Sequence, residues 1–150
     1  MSGRERWVDQ AIRSLLNQST LSEERERALL AQARYGATDS DRHIAVTQLW
    51  RSYSKLVVAI ANRHRRPGID LLDLVGAGHL GLHSAIAAFD PAKSGGRLGP
   101  FAAVWIRWAI KDTIRRDTTA VRLPESRPHR QLAQFAPSLV RDARESCRRE

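Results

Sequence analysis

Apolar residues in this chain recur at steps of three and four, the spacing that gathers side chains on one face of an α-helix. Trp7, Ala11, Ile12 and Leu15 share such a face and predict a first helix over 4–16. Ser22 reads as an N-cap, followed by Glu23 and Glu24, whose charges suit the positive end of a helix. That second helix is expected to end near Tyr35-Gly36, with the glycine in the left-handed closing conformation. A third helix is predicted over about 41–64, with Ile44, Leu49, Tyr53, Leu56, Val57 and Ile60 inward, and Pro67-Gly68 stops it. Asp70 caps a fourth, with Asp73 three places on and Leu71, Leu74, Val75, Leu82, Ile86 and Phe89 facing the core. The stretch 90–100 holds Pro91, Ser94, Gly95, Gly96 and Gly99 and reads as a loop. Phe101 is then expected to open a fifth helix reaching about Arg116, before an extended segment marked by Leu123-Pro124 and Pro128. Nowhere do residues alternate in the manner of a strand. The predicted class is all-α: a compact bundle of about five helices with an extended basic C-terminal tail. Its parts are an amphipathic helix (1–20), a helical domain (21–124) and the tail (125–150).

The fifth helix has two unlike sides. At 100° per residue, Ala102, Trp105, Ile106, Ala109, Ile110 and Thr113 cluster on one, while Arg107, Lys111 and Arg115 fall at four-residue steps on another. Val104 and Trp108 project beside that basic row. Composition adds to this picture. The chain of 150 residues carries a formal charge of +9 and a pI near 11.1, which calls for an anionic partner, either nucleic acid or an acidic membrane surface. Between Arg97 and Arg130, eight basic residues stand against three acidic ones, so this segment supplies +5 of the total. Cations follow a phosphate backbone and aromatic rings stack on exposed bases, a pairing suited to single-stranded or melted DNA. The plainer account is a solvated charged face with a tryptophan filling a groove.

Other chemistry finds little footing. No apolar run approaches the ~20 residues that cross a bilayer, and no apolar stretch follows the N-terminus as in a secretory signal. The single cysteine, Cys147, has no internal partner. These features lead to the expectation of a cytoplasmic protein that is not membrane-bound. Gly76-Ala-Gly78-His-Leu-Gly81 satisfies G-x-G-x-x-G, yet Phe89-Asp90-Pro91 leaves no second strand for a dinucleotide fold. The glycines fit close helix packing better. His79 and His83 lie one turn apart without a third or fourth zinc ligand at a suitable spacing, so no metal is expected. No nucleophile motif is present, and neither catalytic residues nor a cofactor are expected.

The stretch from Leu56 to Pro124 closely resembles region two of the housekeeping and heat-shock class of bacterial RNA polymerase sigma factors. The resemblance is carried by Leu56-Val57-Val58, Gly68, Asp73-Leu74-Val75 with Gly78 and Gly81, Phe89-Asp90-Pro91, and Trp105-Ile106-Arg107 with Ala109-Ile110. A weaker similarity from Leu21 to Tyr53 looks like the helical segment preceding region two. The resemblance implies a region-two helical domain over 21–124 that docks on the clamp coiled coil of the largest subunit of core RNA polymerase. It also implies reading and melting of the promoter minus-ten element. By position, Asp73, His79, Leu80 and His83 would face the polymerase. Arg97, Phe101, Trp105, Arg107, Trp108, Lys111 and Arg115 would face promoter DNA, especially the melted non-template strand. Phe101 would stack on a flipped base and Trp105 would wedge against the upstream duplex. This is binding work, not enzymatic chemistry.

Departures from the family pattern keep a second reading open. Gly76-Ala77-Gly78-His79 stands where the family has Gln-Glu-Gly-Asn, Val104 replaces the first tryptophan of a pair, and Trp108 replaces a glutamine. After Pro124 too few residues remain for the family's two further domains, so the chain is expected to be truncated, with Arg127 to Leu132 as a remnant of the next region. The alternative is a degenerate sigma-like regulatory module that binds polymerase or an anti-sigma factor without opening DNA.

Overall fold

The computed structural model describes residues 20–118 apart from Gly95, together with positions 10, 13 and 14. Gln10, Arg13 and Ser14 are helical and exposed; the rest of the predicted first helix, the tail over 125–150 and Cys147 lie outside the described residues. Five helices run through 20–118: α1 (Glu23–Tyr35), α2 (Asp39–Arg63), α3 (Leu71–Ala88), α4 (Pro91–Ser94) and α5 (Leu98–Thr118). There is no strand among the described residues, and the protein is all-α.

Local chemistry sets most helix boundaries. The Ser22 Oγ accepts from the Arg25 N–H, and Asp70 Oδ1 accepts from the Leu72 N–H at 3.1 Å, so both expected caps are in place. Thr38 caps α2 in the same way, accepting from the Asp41 N–H at 3.1 Å. That cap starts the helix at Asp39, two residues before the predicted start. Gly36 departs from expectation. Its φ of −54° is ordinary, and the reason for a glycine is space: a Cβ there would lie 2.5 Å from the Gln32 carbonyl oxygen. The left-handed glycine is Gly68, with φ +85° in the turn between α2 and α3.

The stretch read as a loop over 90–100 is partly helical. Asp90, 8% exposed, accepts from the Ala92 N–H at 3.1 Å and opens the single turn of α4, with Pro91 at a first-turn position that needs no N–H. Arg34 on α1 ties this turn down, donating to the Phe89 carbonyl at 3.3 Å and pairing with Asp90 at 3.7 Å. Helix α5 begins at Leu98 and not at Phe101, because Pro100 falls inside its first turn, where proline is tolerated.

The core lies between α2, α3 and α5. Leu49, Val57, Leu74, Leu82, Leu98, Phe101, Ile106 and Ile110 are essentially sealed from solvent. Helix α3 is apolar enough over its 18 residues (mean hydropathy 1.3) to meet the length and composition of a spanning helix. That apolarity serves the core, since Leu74, Val75, Leu82, Ala85 and Ile86 are buried against the neighbouring helices. Two of its glycines permit the approach. A Cβ on Gly81 would meet the Trp105 carbonyl oxygen at 2.7 Å and the Ile106 Cα at 3.1 Å, and one on Gly78 would meet Val57 Cγ1 at 2.7 Å. The G-x-G-x-x-G stretch is therefore a helix-packing surface. Of the predicted inward residues that the structure describes, Ile44 is the exception at 49% exposure.

Candidate nucleic-acid interface

Because Gly78 and Gly81 hold one side of α5 against α3, the opposite side is presented outward. Arg107 and Lys111 are exposed, and neither makes an ion pair with another described residue. Trp108 and Val104 are half-buried beside them, packed on the margin of the core. The result is a basic row with an indole along one edge, as the spacing predicted. Two cations assigned to the same face are engaged elsewhere. Arg115 pairs at 2.6 Å with the buried carboxylate of Asp112, which also pairs with Arg116. Arg97 pairs at 3.1 Å with Glu26. Both keep more than half of the side chain exposed.

Phe101 and Trp105, which the resemblance assigns to the DNA face, are buried in this structure: Phe101 is 1% and Trp105 3% exposed. Phe89, Phe101 and Trp105 form a chain of rings, with centroids 5.2 Å and 6.1 Å apart along it. The physical reason is the helical period. Position 105 falls on the same side as Ala102, Ile106 and Ala109, so its large apolar surface is turned into the core. The Trp105 Nε1 is the one buried side-chain polar atom among the described residues without a hydrogen-bond partner.

Helix α3 carries the second candidate face. Asp73, Leu80 and His83 are exposed on one side together with Gly76 and Ala87. Leu80 is 61% exposed, the largest apolar side chain α3 offers to solvent. His79, assigned to this face, turns the other way. Its ring lies 4.5 Å from that of Trp50, and its Nε2 is 3.2 Å from Ser54 Oγ, both on α2. Burial lowers its pKa below the usual histidine range, partly opposed by a hydrogen bond to the Val75 backbone. His79 and His83 do not come together as a metal site, and no cluster of three or more metal-ligating side chains occurs among the described residues.

Sequence reasoning missed Glu26. It lies in the charged run Glu23-Glu24-Arg25-Glu26-Arg27, where nothing local separates it from its neighbours. Yet it is 3% exposed, beside an open groove of about 940 Å³ between α1, α2 and the start of α5. Its carboxylate accepts from the Tyr53 hydroxyl at 2.7 Å, from Arg97 at 3.1 Å and from the Leu98 backbone N–H at 2.9 Å. Burial, reinforced by the bond to Glu26, raises the Tyr53 pKa. The same carboxylate raises that of Arg97. The one retrievable signal was the i, i+3 relation of Glu26 to the core residue Leu29, which puts the two on neighbouring parts of one face.

The profile of the sigma-70 region 2 family matches residues 49–119, which takes in most of α2 and all of α3, α4 and α5. Over that segment the chain is similar to sigma-70 region 2. The RNA polymerase principal sigma factor HrdD of Streptomyces griseus is 45% identical over 74 residues, covering 49% of this chain and 22% of that protein. The RNA polymerase sigma-C factor of a Nostoc species is 43% identical over 70 residues, covering 47% and 17% respectively. The sigma factor SigA4 of Synechococcus elongatus is 36% identical over 80 residues, covering 53% and 25%. The match thus spans a quarter or less of these curated relatives. Both candidate faces fall inside the region 2 match, whereas α1 with Glu26 precedes it.

Proposed function

We propose that this region 2 domain works as an RNA polymerase sigma factor module in transcription initiation, contacting promoter DNA through α5 and core polymerase through α3. The observation that carries the reading is the exposed row of Arg107 and Lys111 with Trp108 along its edge, on a helix inside the family match. Its two cations, without an ion pair among the described residues, can neutralise phosphates, and the half-buried indole offers part of its surface to an unpaired base. Arg97 and Arg115 flank the row and join it with their exposed donors while keeping their carboxylate partners. Phe101 and Trp105 act from beneath, as the packed support that fixes the face. On α3, Asp73, Leu80 and His83 form the surface for the clamp coiled coil of the polymerase's largest subunit. The protein performs no bond chemistry in this role.

Binding of a fluorescent melted-promoter fragment tests the DNA half. Arg107→Ala and Trp108→Ala are each expected to weaken binding about fivefold to tenfold while leaving the helical circular dichroism unchanged. Arg107→Ala should also flatten the dependence of log affinity on log salt by about 0.7, the contribution of one phosphate on a single strand. Unchanged affinity in both variants would overturn the DNA contact.

A second reading keeps the α3 face and drops the DNA contact: a sigma-like regulator that binds polymerase or an anti-sigma factor without opening DNA. Leu80 favours it as much as the first, because an exposed leucine between Asp73 and His83 suits either protein partner. Co-elution with core polymerase of the Leu80→Glu variant, compared with that of Arg107→Ala, separates the two. Loss in the first alone, with DNA affinity absent throughout, would select the regulator.

A further inference from the structure

We infer that Glu26, outside the matched region 2 segment, is a positioning residue for the nucleic-acid face: its carboxylate fixes the first turn of α5 and the direction of Arg97. The inference rests on the DNA-binding reading of α5 given above.

The argument starts from the needs of a helix start. The first N–H groups of α5 have no partner within the helix. The residue before it is Arg97, whose side chain holds only donors and cannot cap them. Pro100 has no N–H to satisfy, and Glu26, 72 residues away in sequence, supplies the acceptor for Leu98 at 2.9 Å. A carboxylate at the positive end of a helix is doubly favoured, by charge and by hydrogen bond. Tyr53 on α2 holds the carboxylate in place with a 2.7 Å bond to Oε2. That same oxygen accepts from Arg97 at 3.1 Å, so one group orients both the helix start and the cation beside it. Downstream, α5 is set by close packing on Gly78 and Gly81, which Glu26 does not touch. Its influence is therefore local to Arg97 and Leu98–Phe101, and should not extend to the exposed face of α3.

The test uses the full chain with Glu26→Ala, Glu26→Gln and Tyr53→Phe, read by amide hydrogen exchange at Leu98 and by affinity for a fluorescent single-stranded DNA oligonucleotide. Glu26→Ala should remove the protection of the Leu98 amide and weaken DNA binding about tenfold. Glu26→Gln, which keeps an oxygen for that amide, should restore its protection but not the orientation of Arg97. Adding Arg97→Ala to Glu26→Ala should cost little more, whereas adding Lys111→Ala should cost its full amount, because only Arg97 acts through Glu26. Binding to core polymerase should be unchanged in all of them. A role in stability alone would weaken every readout together and leave the two arginine and lysine cycles alike. Retained Leu98 protection in Glu26→Ala, or full additivity with Arg97→Ala, overturns the inference. If Glu26→Ala does not fold, Glu26→Gln and Tyr53→Phe carry the same comparison. If the unmodified chain binds no DNA, the functional reading fails, and Leu98 exchange still decides whether Glu26 sets the helix start.

Discussion

Midway along its length α5 meets α3 through close, largely apolar packing; at its start it meets α1 and α2 through one buried carboxylate. The first contact is apolar and glycine-lined, with Gly81 against the backbone of Trp105 and Ile106. The second is polar and directional, with three donors converging on Glu26. Close packing fixes where the helix lies and which side faces out, because a shift of one residue would rotate every side chain by about 100°. It fixes the terminal turn far less, since a helix end has unmet N–H groups that packing cannot satisfy. Directional bonds do that. The pair shows a division of labour: apolar contacts choose the face, and a polar junction shapes its edge.

The comparison breaks most visibly at Gly81. A methyl group there meets backbone atoms that cannot turn aside, so Gly81→Ala is expected to lower stability by about 2–3 kcal/mol despite alanine's better helix propensity, read as a fall in the urea midpoint. Gly78→Ala meets the Val57 and Ile110 side chains, which can shift, and should cost less. At the polar junction, Glu26→Ala strands the Tyr53 hydroxyl and the Leu98 N–H, for an expected loss of about 2 kcal/mol in the same measurement. Gly76 inverts the sign. It is exposed, nothing lies within 4 Å of a Cβ there, and Gly76→Ala should raise stability by about 0.5–1 kcal/mol, which thermal melting would register. Equal effects at Gly76 and Gly81 would show that packing between α3 and α5 is not what the glycines serve.

The smallest effect concerns His79. Its folded pKa is lowered by burial, so below the unfolded value of about 6.5 the unfolded chain binds the proton more readily than the folded one. Stability should therefore be complete above about pH 6.5 and decline as pH falls through that value. The decline should be absent in His79→Gln when urea midpoints are followed between about pH 7 and pH 5.5. An identical slope in the variant would mean that the ring is not held against Trp50 and Ser54 in solution.

How far the sequence could be read follows from the range of each interaction. Ser22 and Asp70 were legible as caps because a cap acts across two or three residues. The two-sided character of α5 was legible because the helical period is local, and by that period Trp105 already belonged to the core side. The resemblance assigns Trp105 and Phe101 to the DNA face, and in the structure both are buried, Trp105 on the side its period gives. Asp90 and Pro91 looked like loop residues, and Arg34 and the cap geometry of Asp90 make a helical turn there. Arg115 read as a free cation in a row, but Asp112, one turn away and buried, takes part of its charge.

By itself, then, the sequence determined four of the five helices over 20–118, the apolar stripes, the basic-aromatic row of α5 and the likeness to sigma-70 region 2, all of which depend on neighbours within a turn or on motifs in fixed order. Tertiary structure alone decided that Glu26 and not Glu23 or Glu24 is buried, that His79 turns toward α2 while Leu80 stays in solvent, and that Arg107 and Lys111 make no ion pair with another described residue. The reason is common to all three. Burial and ion pairing depend on which groups arrive from distant parts of the chain, and Glu26 meets Leu98 across 72 positions that no local pattern spans.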